Sequence, residues 1–254
     1  MILVRSALFN VWFFGATFLI GLFGAFVRWL APERSLGVAR CWARTVLAGA
    51  RVLCGITVEV TGLERLPAGA ALIASQHQSA FDTLIWVVLL PRVSYIYKSE
   101  LARIPLFGPM LRASGQIMVE RQASVASVRA LLKATQRAKA DGRQIVIFPE
   151  GTRVVHGSDS EIRGGFTLIA GRTGLPIYPV STDSGRYWSR RSFVKRPGRV
   201  QIHIGAPISA ELGAAELVAV LRARWREGAL TGVGVDKSVD QAAGDGGGAA
   251  GTLG

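Results

Sequence analysis

At 254 residues, the chain can bury one sizeable core, or a core plus an anchor. Half its residues are hydrophobic and its mean hydropathy is +0.33, high for a wholly soluble domain and indicative of a membrane contribution. A formal net charge of +13 favours anionic partners, but no nucleic-acid partner is expected, because no DNA- or RNA-reading motif accompanies it.

The first predicted element is Ser6 to Val27, 22 residues without a charge. As a helix it measures about 33 Å, against about 30 Å of bilayer hydrocarbon. No small-residue cleavage site follows, which argues against a signal peptide. The run either spans the membrane or lies in its interface; Asn10 and glycines 15, 21 and 24 suit the second arrangement. Arg28, Arg34, Arg40, Arg44 and Arg51 follow the run, so a spanning helix places the rest of the chain in the cytoplasm. Pro32-Glu33 breaks the run. Leu36 to Leu53 then reads as an amphipathic helix, with Val38, Trp42, Val46 and Leu53 on one face and Arg40, Arg44 and Arg51 on the other. Cys41 and Cys54 have no metal-ligand spacing and read as reduced thiols.

From Ile56 strands alternate with helices. "TVEVTG", "AALIAS", "VSYIYK", "GQIMVER", "QIVIFPEG", "LPIYPV" and "RVQIHIG" read as strands, and Ser124 to Ala140, "GFTLIAGRTG" and Glu211 to Trp225 as helices. "TLIWVVLL" fits either, and prolines 105 and 109 leave short helical pieces between Leu101 and Arg112. The predicted class is α/β: a single mixed sheet flanked by helices, with an N-terminal membrane-anchoring helical segment. The expected division is a membrane-associated segment over 1–55, a catalytic domain over 56–230 and a glycine-rich disordered tail over 231–254.

The chemistry-bearing residues gather at strand C-terminal ends, where α/β sheets bind ligands. His77 and Asp82 lie in "QHQSAFDTL", after a buried strand. Read alone, Asp82 serves as a helix N-cap and His77 as a turn residue. Read together, a carboxylate on one imidazole nitrogen fixes the tautomer, and the other nitrogen can take a proton from a hydroxyl. Lys98 and Arg121 each end a short strand. "FPEGTR" supplies Glu150, Gly151, Thr152 and Arg153, a glycine turn and an arginine suited to phosphate. His156 reads as a polar loop residue and His203 as a strand residue. Residues 185–199 mix arginines and lysine with Tyr187, Trp188 and Phe193; they read as a solvated loop, an interfacial anchor, or a dock for an acidic carrier or coenzyme A phosphates.

Four blocks, "HQSAFD", "KSELARIPLFG" with "GQIMVER", "FPEGTR" and "GLPIYPV", span residues 77 to 180 in the order and spacing of a known family. The chain resembles the glycerolipid acyltransferases, specifically the bacterial 1-acyl-sn-glycerol-3-phosphate (lysophosphatidate) acyltransferases. The resemblance implies that His77 is the catalytic histidine and Asp82 its partner. It implies that Arg121 holds the acceptor's phosphate and that Glu150, Gly151 and Arg153 help bind the acceptor. Pro179 matches the fourth block. Gln76, Val154 and Arg163 depart from the residues common there. The implied reaction moves a fatty acyl group from acyl-CoA or acyl carrier protein to the sn-2 hydroxyl of lysophosphatidate. It implies no metal or other cofactor and no protein nucleophile, and a place on the cytoplasmic face of the inner membrane. Another lysolipid or glycerol-3-phosphate as acceptor, or a non-catalytic lipid-binding protein on the same fold, are the alternatives.

Overall fold

The computed structural model describes residues 1–105, 107–120 and 124–233. Seven strands form one sheet: β1 (Ile56–Thr61), β2 (Ala71–Ser75), β3 (Val93–Lys98), β4 (Ile117–Val119), β5 (Gln144–Ile147), β6 (Ile177–Thr182) and β7 (Gly198–Ile204). Their order is β1-β7-β6-β2-β5-β3-β4, and only the β6–β7 pair is antiparallel. The central strands β2, β5 and β6 are buried along their whole length, as their unbroken apolar runs require when helices cover both faces.

Helices α1 (Ile2–Leu30), α2 (Ser35–Cys54) and α3 (Phe81–Leu89) lie on one face of the sheet. Helices α5 (Val125–Ala140), α6 (Gly164–Thr173) and α7 (Ala214–Val233) lie on the other, with the short α4 (Phe107–Ala113) beside α1 and α2. "TLIWVVLL" is therefore helix; its length and its packing between α2 and the sheet decide between the two periods. The last helix starts three residues later than predicted and runs eight residues further, to Val233. Past that residue, the predicted tail lies outside the described residues.

The N-terminal helix is not held apart from the domain. α1 and α2 run antiparallel: Arg5 Nε donates to Leu53 O (2.6 Å), Trp12 Nε1 to Thr45 O (3.0 Å) and Trp42 Nε1 to Thr17 Oγ1 (3.0 Å). Gly49 permits this approach, since a Cβ there would collide with the Trp12 indole. Phe9 of α1 and Ala43, Val46, Ala50 and Cys54 of α2 share one core with α3, β6 and β7. α1 is long and apolar enough to cross a membrane. Its outer face carries Leu8, Val11, Phe14, Phe18, Leu22, Phe26 and Trp29, each at least 45% exposed and three or four residues from the last, a continuous stripe along one side.

Arg40 departs from the predicted solvent face of α2. Its guanidinium donates to Val87 O, Leu90 O and Pro91 O, satisfying the carbonyls at the C-terminal end of α3.

Candidate active site

His77 sits two residues past the end of β2, and Asp82 lies in the first turn of α3. The turn between them brings His77 Nδ1 to 3.3 Å from Asp82 Oδ2. A carboxylate oxygen only accepts, so this contact assigns the imidazole proton to Nδ1 and leaves the Nε2 lone pair free. The ring stacks on Phe148 at 3.9 Å between centroids and 17° between planes, and the side chain is 12% exposed. Burial pulls the His77 pKa below its ordinary value. The hydrogen bond to Asp82 and its charge oppose that shift, while the charges of Arg153 and Lys98 reinforce it. The imidazole is therefore held neutral, within reach of the positive charges of Arg153 and Lys98.

Asp82 is not the N-cap that its position suggested. Its Oδ2 reaches backwards to accept the N–H groups of Gln78 (2.7 Å) and Ser79 (2.8 Å). Ser79 Oγ instead accepts the N–H of Phe81 at 3.1 Å. The carboxylate thus closes the turn it belongs to and holds the histidine with the same oxygen. Asp82 Oδ1 accepts the Ser184 hydroxyl at 2.5 Å.

The "FPEGTR" loop packs against this turn, with Val154 N donating to His77 O at 2.8 Å. Gly151 makes the bend at φ +66°, which a side chain would strain. Arg153 is half-buried, and its charge is felt by His77. Thr152 and Lys98 are exposed at the same end of the sheet. Glu150, expected to help bind the acceptor, is buried in the loop. It is 3% exposed, and its Oε1 accepts the His77 N–H at 3.3 Å. It also lines a cleft of about 380 Å³ between α7 and the 154–160 loop. Arg121 lies outside the described residues.

Burial pushes the Glu150 carboxyl up to about 8. Below its ordinary value of 4.5 it is protonated in both the folded and the unfolded chain. Between there and about 8 only the unfolded chain ionises freely, so this group subtracts stability as pH rises through that window. Glu150→Gln replaces the neutral acid with a neutral amide. The variant's Tm should therefore fall less than the wild type's between pH of about 5 and about 8.5. Parallel Tm curves from thermal melts would show that Glu150 is ionised throughout.

Two contributors were missed from the sequence. Gln78, 3% exposed, donates through Nε2 to Thr182 O (2.7 Å), and its Oε1 accepts from Gly185 N (3.2 Å) and His156 Nδ1 (3.1 Å). It ties together the loops after β2, β5 and β6. Ser184 lies 102 residues from Asp82, and only the adjacency of β6 to β2 brings the two together.

The sheet and its flanking helices match a solved structure titled 1-acyl-sn-glycerophosphate (LPA) acyltransferase, PlsC, of Thermotoga maritima. The TM-score is 0.71 at 23% identity, over 90% of this chain and 96% of that one. The likeness is one of fold. Residues 57–183 match the family model described as Acyltransferase, and the chain belongs to that family; it is an O-acyltransferase. A Pseudomonas aeruginosa protein named 1-acyl-sn-glycerol-3-phosphate acyltransferase is 31% identical over 223 residues, 87% of each chain. A Borreliella burgdorferi protein of the same name is 32% identical over 155 residues, 60% of this chain and 62% of that one.

Proposed function

We propose that this enzyme acylates the sn-2 hydroxyl of lysophosphatidate from an acyl thioester, giving phosphatidate and a free thiol. The carrying observation is the His77 imidazole, bound at Nδ1 by Asp82, which leaves the Nε2 lone pair to accept a proton, under the positive charge of Arg153. The relatives' names supply the acceptor. His77 Nε2 takes the hydroxyl proton as the oxygen attacks the thioester carbonyl. The C–S bond then breaks, and the departing thiolate recovers the proton from the imidazolium. Asp82 holds the ring and stabilises its charged form. General-base help of this kind contributes about 10²–10⁴-fold. Positioning must supply the rest.

The phosphate of the acceptor suits the positive charge felt at His77. Arg153 and Lys98 supply that charge among the described residues, the exposed Thr152 hydroxyl can donate, and Arg121 is assigned there by its motif, while the Gly151 N–H is already spent on Phe148 O in the turn. Glu150 serves by shaping the loop under His77 rather than by touching the acceptor. The apolar stripe of α1 lies in the membrane surface, where both lipid substrates reside. Exposed Arg28, Arg34, Arg44 and Arg51 on the same hairpin suit anionic headgroups. A helix docked along α2 over most of its length favours an interfacial seat over an independent span. The expected location remains the cytoplasmic face of the inner membrane.

Purified enzyme given labelled acyl-CoA or acyl carrier protein, and a panel of lysolipids and glycerol-3-phosphate, should form phosphatidate from lysophosphatidate preferentially. Preference for another acceptor would overturn the assignment. Arg153→Ala should raise KM for lysophosphatidate by about tenfold or more, the loss of one charge-assisted contact. An equal rise with a lysolipid lacking the phosphate monoester would argue against a phosphate contact.

A further inference from the structure

We propose that Ser184 is a positioning residue for the catalytic pair: its buried hydroxyl donates to Asp82 Oδ1 and fixes the carboxylate against His77. The proposal rests on the reading of His77 as the base.

The two oxygens of Asp82 are used unequally. Oδ2 takes the backbone N–H groups of Gln78 and Ser79 as well as His77 Nδ1. Oδ1 takes the Ser184 hydroxyl, at 2.5 Å, between residues 0% and 2% exposed. A carboxylate can still rotate about its Cβ–Cγ bond. A donor on the far oxygen removes that freedom and fixes the plane in which Oδ2 meets the imidazole. The same donor draws charge from the carboxylate. It thereby weakens the carboxylate's hold on an imidazolium and keeps His77 from being protonated too readily.

Ser184 is itself held firmly. Its N–H donates to Thr182 Oγ1 at 3.2 Å, and its carbonyl accepts from Tyr187 N (3.2 Å) and Trp188 N (3.0 Å). The Trp188 ring meets Phe9 of α1 edge-on at 5.1 Å and 87°. Lys195, 4% exposed, clamps the return of the segment: its N–H donates to Ser6 Oγ, and Nζ donates to Asn10 Oδ1 at 2.9 Å. The hydroxyl is thus fixed from the sheet on one side and from α1 on the other. A buried serine whose only task is to fill space needs no such bracing and no carboxylate partner.

The test is Ser184→Ala in the full-length, membrane-reconstituted enzyme, with kcat, KM and the pH profile measured beside the His77 titration by ¹⁵N NMR. Removal of one hydrogen bond to a charged group should lower kcat by about tenfold or more, with KM for both substrates within about twofold. Without the Ser184 donor, Asp82 holds the imidazolium more strongly. The His77 titration and the acid limb of kcat should therefore both move to higher pH, by roughly half a unit. Ser184→Thr retains the hydroxyl and should keep the wild-type titration even if its bulk lowers Tm. Unchanged kcat and an unchanged titration in folded Ser184→Ala would overturn the proposal, as would a fall in Tm with both unchanged. The NMR shift does not depend on turnover, so it separates failure of this proposal from failure of His77 as base, which would show as an active His77→Ala enzyme.

Discussion

His77→Ala should lower kcat for acyl transfer by about 10²–10⁴-fold while leaving the protein folded and membrane-bound. The imidazole touches Asp82 and Phe148 and, among the described residues, holds no backbone group, so its removal should leave the turn in place. The backbone bonds that shape the loop, His77 N to Glu150 Oε1 and Val154 N to His77 O, survive the change. The apolar stripe of α1 is untouched, and sedimentation with vesicles should match the wild type. KM should change little, because the lost interaction is worth most in the transition state. Alanine also leaves a ring-sized space beside Phe148, so added imidazole should restore part of the rate. A fully active variant would remove His77 from the mechanism.

The parts of this picture that were legible in the sequence are those set by local pattern. Buried strands announce themselves as short apolar runs, and the His77 turn, the "FPEGTR" turn and Lys98 were all placed at strand ends correctly. What could not be read depends on strand order or on neighbours. The β6–β2 adjacency that carries Ser184 to Asp82 crosses 102 residues, and no periodicity records it. The face of Arg40 looked solvated because α2 is amphipathic on its own; it is the end of α3, remote in sequence, that supplies three carbonyls there. Apolar residues of α1 have one hydropathy whether they meet lipid or Phe9's neighbours in the core. Hydropathy alone therefore cannot show that the helix docks along α2. The motif gives Glu150 its identity but not its direction, which the packing of the loop under His77 decides.

Asp82 should separate electrostatics from architecture when it is replaced in two ways. Asp82→Ala orphans the N–H groups of Gln78 and Ser79 together with the Ser184 hydroxyl, all three buried. Each orphaned buried donor costs about 1–3 kcal/mol, so this variant should lose both activity and several degrees or more of Tm. Asp82→Asn should behave differently. Its amide oxygen can still face the two backbone donors and His77 Nδ1, while its NH₂ group turns to Ser184 Oγ, which can accept. The turn and the tautomer then persist, and Tm should stay close to the wild type's. What the asparagine lacks is the negative charge that stabilises the imidazolium formed as the hydroxyl gives up its proton. Its kcat should fall by about 10²–10³-fold, and the His77 titration should move to lower pH. The two melts and two rate profiles together decide the matter: a folded, fully active Asp82→Asn enzyme would mean that Asp82 acts only as the closure of the turn.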